Sequence, residues 1–333
     1  TRLIKTRRSW ATSGDPARVV RSKASPGRYR DIVVSSRSGA GVRLSYAWPM
    51  ASFSIPPVIS PDWLTDRLRQ PALVILDTSW FLPSAGRDAR TEYRSGHLPG
   101  AVYFDLDTAS SPDTTLPHML PSPDGFGRYV GGLGVGNDST VVVYDSSGTN
   151  LSAARAWWMF RVFGHEAVAV LDGGLGRWRQ EGRALEQGET IRPERAFAAR
   201  FRPDLVIDRE GVRRALEGNG RLVVDVRSTG RFTGREPEPR PGLPSGHMPG
   251  AVNLPYTELV QPDGTVLPLA QLEDRLRQAG LGPDRSAVAT CGSGVTACNL
   301  VLALDRLGWS WPLVYDGSWT EWATSGMPVV EGG

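Results

Sequence analysis

The chain has 333 residues, 40% hydrophobic and 22% charged, a composition typical of a globular protein long enough for two domains. No apolar run approaches the roughly 18 residues that a membrane-spanning helix needs, so we expect no such helix and no membrane partner. The two cysteines lie close together in sequence and the four histidines show no paired ligand spacing, which excludes a disulfide framework and a conventional metal site. We therefore expect a protein of a reducing compartment, with the cytoplasm as its location.

The net charge of +3 is unevenly distributed along the chain. Residues 1–49 contain eleven basic and two acidic residues, whereas 50–333 contain 27 basic and 33 acidic residues. The mildly acidic body gives no reason to expect nucleic acid as a partner. The first 49 residues are rich in Arg, Ser and Gly and lack sustained periodicity, so we predict a disordered basic extension there.

Three interpretations of residues 1–49 remain open. The segment is Arg- and Ser-rich and poor in acidic residues, as in an organellar transit peptide, which would place the protein in mitochondria. It could equally be a basic tail for an acidic partner. The third interpretation is an upstream extension outside the natural protein, which begins at Met50. We favour the third, because Lys5 and Lys23 are the only lysines and the chain after Met50 uses only Arg.

Short apolar runs then alternate with helical patterns. In the first half we predict a helix at Ser152–Phe163 and strands at Leu73–Leu76, Thr140–Tyr144 and Ala167–Leu171. In the second half we predict a helix at Val295–Leu307 and strands at Leu222–Val226, Ala287–Thr290 and Leu313–Tyr315. Continuous apolar strands that alternate with helices predict an α/β fold, with a parallel sheet covered by helices on both faces.

The second half repeats the first in order. Ser95–Val102 recurs as Ser245–Val252, and Leu171–Trp178 recurs as Tyr315–Trp322, with offsets that drift only from 150 to 144. This self-similarity predicts one domain that has been duplicated. The predicted division is an extension at 1–49, a first domain at 50–182, a linker at 183–204 and a second domain at 205–333.

Cys291 follows the predicted strand Ala287–Thr290 and opens a Gly-Ser-Gly loop that leads into a helix. Backbone N–H groups in such a loop can surround an anion at the positive end of the helix dipole, which lowers the pKa of a thiol. Cys291 is therefore the candidate nucleophile. The loop residues that would bind the thiolate and the transferred group are Gly292, Gly294, Val295 and Thr296.

The first half provides an internal control. Asp145 occupies the position of Cys291, and a carboxylate cannot act as a sulfur nucleophile, so we assign the reaction to the second domain. The histidines His97 and His247 occur in both halves, and we expect them to be architectural. Cys298 lies on the apolar helical run and is predicted to be buried.

These residues resemble the tandem-domain rhodanese family of sulfurtransferases over nearly all of 56–330. The shared motifs are Gly-His-x-Pro-Gly-Ala in both halves, Asp225-Val-Arg-Ser, Gly230-Arg-Phe, Glu236-Pro-Glu-Pro-Arg240, the Cys-x5 loop and Tyr315-Asp-Gly-Ser-Trp319. The resemblance implies two tandem rhodanese-like domains. Thiosulfate-using members carry cationic residues after the cysteine, whereas the loop here has none and resembles that of the 3-mercaptopyruvate sulfurtransferases.

The resemblance also implies the site residues. Arg231 and Arg240 match the arginines that bind the donor carboxylate, a task suited to a planar guanidinium. Ser293, His118 and Asp107 match a Ser-His-Asp relay, of which the last two come from the inactive domain. Sulfur would pass from 3-mercaptopyruvate through a Cys291 persulfide to a thiol such as thioredoxin or to cyanide, with release of pyruvate and without a cofactor.

Alternative functions stay open at this point. The closest is a thiosulfate:cyanide sulfurtransferase, and a non-enzymatic alternative is a persulfide carrier in a sulfur relay. A cysteine phosphatase shares the Cys-x5 loop but needs an arginine directly after it, where this chain has Ala297. Arg227 is expected to be structural, paired with a buried carboxylate.

Overall fold

The computed structural model describes residues 19–20, 30–34, 42–46, 55–218 and 220–332. The chain divides into two compact units, 1–53 and 54–333. In the first unit, strands β1 (Val19–Val20), β2 (Arg30–Val34) and β3 (Val42–Tyr46) form an antiparallel sheet in that order. The structure therefore places three short strands within the extension that was predicted to be disordered. The other residues of that extension lie outside the described part of the chain.

The first half of the second unit contains a five-stranded parallel sheet. Its strands are β4 (Val58–Ile59), β5 (Leu73–Asp77), β6 (Ala101–Tyr103), β7 (Thr140–Tyr144) and β8 (Val168–Leu171). They lie in the order β4-β8-β7-β5-β6, and each neighbouring pair is parallel. The helices are α1 (Pro61–Thr65), α2 (Ala89–Ser95), α3 (Pro123–Gly132), α4 (Leu151–Val162) and α5 (Gly174–Gln180).

The second half repeats this topology. Its strands are β9 (Val206–Ile207), β10 (Leu222–Asp225), β11 (Val252–Asn253), β12 (Ala287–Thr290) and β13 (Leu313–Tyr315). Their order, β9-β13-β12-β10-β11, matches that of the first sheet strand for strand. The helices are α6 (Arg209–Leu216), α7 (Thr229–Thr233), α8 (Leu269–Gln278), α9 (Ala297–Arg306) and α10 (Ser318–Thr324). The predicted duplication is confirmed.

Both faces of each sheet are buried, as the continuous apolar runs predicted. On β5, Val74 and Leu76 face a large core that is shared by the two halves, whereas Leu73 and Ile75 face a separate cluster on the other side. Successive strand residues point to opposite faces, so a strand covered on both sides must be apolar throughout. No helix in the described part of the chain has the length and apolar character needed to cross a membrane.

Helices α4 and α9 pack against each other, one from each half, and join the two domains. Their buried side chains belong to one apolar cluster, and Trp157 on α4 contacts Trp311 of the second half, with ring centroids 5.2 Å apart. Both helices begin directly after the loop at the carboxyl end of a central strand. The packing therefore brings the two loops, and the ligand-binding ends of both sheets, to one interface.

The predicted elements differ from the observed ones mainly at their ends. The helix predicted from Val295 begins at Ala297, because the preceding residues form the loop after Cys291. The predicted linker runs along the first domain, where Phe197 is buried in the shared core and the Arg195 amide donates to the Gly131 carbonyl at 3.0 Å.

Candidate active site

Cys291 lies at the carboxyl end of β12, the central strand of the second sheet, with a side chain 1% exposed. Its amide donates to Ser318 Oγ at 3.1 Å, and its carbonyl accepts from the Trp319 amide at 2.9 Å. The first turn of α10 therefore anchors the cysteine on both sides of its Cα. This fixed position at a strand end is where open parallel sheets bind ligands.

The Ser318 hydroxyl organises the loop after Cys291. It accepts the N–H groups of Cys291 and Gly294, each at 3.1 Å, and donates to the Tyr315 carbonyl at 2.7 Å. Its oxygen lies 4.0 Å from Cys291 Sγ. We predicted that the Gly294 amide would face the thiolate; this was wrong, because Ser318 takes that amide.

Other loop amides retain their donor capacity. Within the described residues, the N–H groups of Gly292, Ser293, Val295 and Thr296 donate to no protein acceptor. Unpaired donors around a buried sulfur are suited to an anion, because leaving them unsatisfied costs free energy. The predicted role of Gly292, Val295 and Thr296 in binding the thiolate or the transferred sulfur stays a prediction.

The structure brings His118, Ser293 and Asp107 together across the domain interface. His118 Nδ1 lies 3.1 Å from Ser293 Oγ, and His118 Nε2 lies 3.1 Å from Asp107 Oδ1. His118 and Ser293 are buried, whereas the Asp107 carboxylate is exposed. Ser293 is two residues from Cys291 on the same loop, so the histidine of one domain reaches the nucleophile loop of the other.

Burial lowers the pKa of His118, with the hydrogen bond to Asp107 acting in the opposite direction. The same hydrogen bond lowers the pKa of Asp107. At neutral pH this favours an ionised Asp107 and a neutral His118 that donates Nε2–H to the carboxylate. Nδ1 then accepts the Ser293 hydroxyl proton, which is the tautomer a general base needs.

Trp80 supports the relay from outside. Its indole Nε1 donates to Asp107 Oδ2 at 3.1 Å, and its ring meets the His118 imidazole edge-on at 4.6 Å between centroids. The exposed Asp107 carboxylate is thus oriented by two donors.

The two predicted carboxylate-binding arginines lie at the loop but are not equivalent. Arg231 donates to Glu238 through Nε at 3.0 Å and Nη2 at 2.5 Å. Glu238 is 2% exposed and also pairs with Arg227 at 2.7 Å. One edge of the Arg231 guanidinium is therefore already occupied, and the predicted role of Arg231 in binding the donor carboxylate stays a prediction.

Arg240 has no hydrogen-bonded or ion-paired partner within the described ranges. A methyl group placed on Gly292 would lie 3.8 Å from Arg240 Nη1 and 3.0 Å from Arg231 Nη2, so both guanidinium groups border the loop. Burial lowers the pKa of Arg240, while the nearby Cys291 raises it. A half-buried cation without a carboxylate partner is prepared to bind an anion.

Several structural expectations are confirmed. Arg227 forms a buried ion pair with Asp225 at 2.5 Å. His97 and His247 make matching contacts in the two halves, since each Nδ1 meets a backbone carbonyl and each ring stacks on an aromatic side chain. Cys298 is buried on α9 and donates to the Gly294 carbonyl at 3.3 Å.

The corresponding loop of the first domain binds its own carboxylate. Asp145 accepts the Ser147 amide on Oδ1 and the Ser152 and Ala153 amides on Oδ2, all at 2.9 Å. In the first domain, backbone amides at this point of the duplicated fold therefore bind a carboxylate. There the anion is part of the chain.

The sequence analysis missed five residues that hold this site: Trp80, Arg155, Glu238, Asp316 and Ser318. Three of them lie in motifs that the sequence displays. Asp316 and Ser318 lie in the Tyr315–Trp319 motif, and Glu238 lies in the Glu236–Arg240 motif. Within the described residues, no three His, Cys, Asp or Glu side chains are arranged to hold a metal ion.

A family model described as rhodanese-like domain matches residues 60–181 and 208–325. A protein from Arabidopsis thaliana named thiosulfate/3-mercaptopyruvate sulfurtransferase 1, mitochondrial, is 43% identical over 309 residues, which cover 86% of this chain and 81% of that protein. The Homo sapiens protein named 3-mercaptopyruvate sulfurtransferase is 42% identical over 276 residues, which cover 81% of this chain and 93% of the relative.

Solved structures show the same similarity. The crystal structure of SseA from Escherichia coli, described as a 3-mercaptopyruvate sulfotransferase with the rhodanese fold, superposes with a TM-score of 0.73 at 37% identity. The match covers 80% of this chain and 99% of the other. The similarity therefore extends over both domains and the interface between them.

Proposed function

Because the chain belongs to the family of proteins with rhodanese-like domains, we propose that it is a 3-mercaptopyruvate sulfurtransferase. Cys291 in the second domain receives the sulfur, and the first domain supplies Asp107 and His118. The sulfur then passes to a thiol or to cyanide, and pyruvate is released. No metal or organic cofactor takes part, because the cysteine carries the sulfur covalently.

The contact between His118 and Ser293 is the observation that supports this donor most directly. Mercaptopyruvate carries a proton on the sulfur to be transferred, and its carbon fragment leaves as an enolate that needs a proton. Thiosulfate has no such proton to move. A buried, neutral histidine within hydrogen-bond distance of a serine beside the nucleophile is suited to the first donor.

The transfer to the enzyme is balanced in atoms and charge. The Cys291 thiolate attacks the substrate sulfur, a sulfur–sulfur bond forms, and the carbon–sulfur bond breaks with its electron pair going to carbon. Ser293 and His118 move the substrate thiol proton to that carbon. The products are an anionic Cys291 persulfide and pyruvate, and the loop amides of the second domain stabilise the charge on sulfur.

The second transfer regenerates the thiolate. A thiol RSH attacks the outer sulfur of the persulfide and leaves as RSSH, or cyanide leaves as thiocyanate. In both cases the electron pair of the broken sulfur–sulfur bond returns to Cys291. We propose a thiol protein such as thioredoxin as one acceptor, because a persulfide is open to attack by a thiolate.

The proposal is tested by measuring activity with mercaptopyruvate and with thiosulfate for the wild type and two variants. We expect wild type to prefer mercaptopyruvate to thiosulfate in kcat/KM, and Cys291→Ser to lose transfer from both by more than about 10⁴-fold. His118→Ala should lower kcat on mercaptopyruvate by about 10²- to 10⁴-fold and affect thiosulfate less. Pyruvate release and thiocyanate formation are the readouts.

Each alternative predicts a different outcome. A thiosulfate:cyanide sulfurtransferase would prefer thiosulfate, consistent with the double name of the Arabidopsis relative, and would not need His118. A persulfide carrier would gain one sulfur atom on Cys291 from a partner without releasing pyruvate from mercaptopyruvate. Intact-protein mass spectrometry combined with a pyruvate assay distinguishes the carrier from the enzyme.

The cellular location is proposed to be the cytoplasm, with mitochondria as the alternative if residues 1–49 act as a transit peptide. The scarcity of cysteine supports a reducing compartment. Fractionation of cells that express the chain from Thr1 and from Met50 tests the two locations.

A further inference from the structure

An arginine lies in the apolar helix α4, where charge is costly to bury. The Arg155 side chain is fully buried, and its guanidinium stacks over Trp158 at 4.7 Å. Nη1 donates to Asp316 Oδ1 at 2.7 Å and to the Gly294 carbonyl at 3.2 Å, and Nη2 donates to the His118 carbonyl at 2.5 Å. A buried ion pair is weak evidence for stability, so its contacts need another explanation.

Each of these contacts reaches a segment that carries the relay. Gly294 follows Ser293, His118 is the relay histidine itself, and Asp316 lies two residues before Ser318. The second oxygen of Asp316 accepts the Leu120 amide at 2.7 Å. Arg155 and Asp316 therefore hold both the segment around His118 and the loop that carries Ser293.

The backbone at His118 needs such support. Its φ of 61° is in the left-handed region, which a residue with a Cβ rarely adopts and which costs of the order of 1 kcal/mol or more. The carbonyl of this residue is bound by Arg155, and the amide two residues on is bound by Asp316. The pair thus fixes the backbone directly after this strained residue.

We propose that Arg155 and Asp316 are a positioning pair, which holds His118 within hydrogen-bond distance of Ser293 across the domain interface. Neither residue touches the reacting atoms in this assignment. The proposal rests on the proposed function, since it matters only if His118 moves a proton during turnover.

The corresponding position of the first domain offers a comparison for this pair. Asp172 occupies the position of Asp316 in the first domain, and its Oδ1 accepts the Val266 amide of the second domain at 2.9 Å. Its other oxygen pairs with Arg177 of its own domain at 2.8 Å. The position of Arg155 is taken by Val301 on α9. Both halves make the Asp-to-amide contact, but Asp316 forms its ion pair with an arginine of the other domain, whereas Asp172 forms its ion pair within its own domain.

Arg155→Lys is the first test. Lysine keeps the charge, but its single ammonium group cannot reproduce the hydrogen bonds that two guanidinium nitrogens donate to Asp316, Gly294 and His118. We expect kcat on mercaptopyruvate to fall by about 10- to 100-fold, while KM changes by less than about threefold because Arg240 is untouched. In a His118→Ala background the same substitution should lower kcat by no more than about twofold, since the residue through which it acts is gone.

Asp316→Asn and Asp172→Asn form a matched pair that still applies if Arg155→Lys fails to fold. Each keeps an amide oxygen for the cross-domain N–H and loses the charge that faces an arginine. We expect Asp316→Asn to lose more thermal stability, because it leaves the fully buried Arg155 without its carboxylate, whereas Arg177 is partly exposed. At a temperature where both variants are folded, kcat should fall by about tenfold or more for Asp316→Asn and change within about twofold for Asp172→Asn.

Three results would overturn the positioning role: unchanged kcat in Arg155→Lys, additive losses in the double variant with His118→Ala, or equal kcat effects of the two Asp→Asn variants. Failure of the proposed function has a different signature. In that case His118→Ala itself would retain the wild-type kcat on mercaptopyruvate.

Discussion

At the scale of single residues, the Glu238 carboxylate determines which arginine near the Cys291 loop is available to bind the donor. Glu238 is nearly fully buried and binds Arg227 and Arg231 together, which leaves Arg240 as the guanidinium at the loop that retains its whole donor edge. Charge-assisted, bidentate hydrogen bonds to a carboxylate are among the stronger polar interactions in proteins. We therefore assign the donor carboxylate chiefly to Arg240.

Arg240→Ala should raise KM for mercaptopyruvate by about 10- to 100-fold, the loss expected when hydrogen bonds to a charged group are removed. Arg231→Ala should raise it less, because Glu238 already holds one edge of that side chain. Arg235→Ala, an exposed arginine of the same segment, is the surface control. Steady-state kinetics on mercaptopyruvate measure all three. Equal increases in KM for Arg231→Ala and Arg240→Ala would contradict the assignment of the donor carboxylate chiefly to Arg240.

The motifs pointed to three residues that lie close together in the structure, Ser293, His118 and Asp107, but they did not indicate the surroundings of these residues. His118 lies 175 residues before Ser293, and only the packing of the two domains brings its imidazole within 3.1 Å of the serine hydroxyl. Nothing in a sequence states which carboxylate an arginine will pair with, so the capture of Arg231 by Glu238 was missed. The same limit applies to Ser318, whose hydroxyl takes an amide that we assigned to the thiolate.

At the scale of secondary structure elements, the loops after β7 and β12 occupy equivalent positions in the two domains. Each links a central strand to a buried helix, and each has a glycine with positive φ at the same point, Gly148 at 77° and Gly294 at 75°. The surroundings differ. A methyl group on Gly294 would lie 2.7 Å from the Asp316 carbonyl oxygen and 3.2 Å from Arg155 Nη1, whereas one on Gly148 would meet nothing within 4 Å.

Gly148→Ala and Gly294→Ala should therefore separate backbone strain from steric clash. Both substitutions place a Cβ at positive φ, at a cost of about 1–2 kcal/mol in the free energy of unfolding. Gly294→Ala must also displace the Asp316 backbone, and we expect a further loss of stability together with a fall in kcat of more than about tenfold. Urea unfolding and kcat on mercaptopyruvate are the measurements. A Gly148→Ala variant as slow as Gly294→Ala would contradict the assignment of activity to one loop.

The predicted strands and helices agree with the structure where an apolar run is long enough to show a pattern. Strands β7, β12 and β13 match their predicted bounds, and α4 is displaced by one residue. The strands that were missed, such as β4 and β9, have two residues each and form at the sheet edges by pairing with a neighbour. A strand of two residues is too short to show hydrophobic periodicity. Its position is determined by the neighbouring strand with which it pairs, and not by the local sequence.

At the scale of the whole molecule, the two domains share one core and one site. The cluster that contains α4 and α9 extends through both sheets, and the relay is completed only where the domains meet. Because the interface is packed as a domain interior is, the two domains should unfold together in a single transition. In the proposed function the first domain contributes by placing His118 beside Ser293, although its own loop holds Asp145 in place of a cysteine.

Two buried tryptophans of the first domain allow this coupling to be tested. Trp157 packs at the interface against Trp311, whereas Trp178 is buried in the cluster on the outer face of the first sheet. Either Trp→Ala change should cost about 3–5 kcal/mol in the free energy of unfolding. Only Trp157→Ala should also lower kcat of the folded enzyme, by about tenfold, because the cavity lies beneath the helix that carries Arg155. Urea unfolding with kcat on mercaptopyruvate distinguishes the two, and separate transitions for the two domains, or equal kcat losses, would contradict a shared core that positions the site.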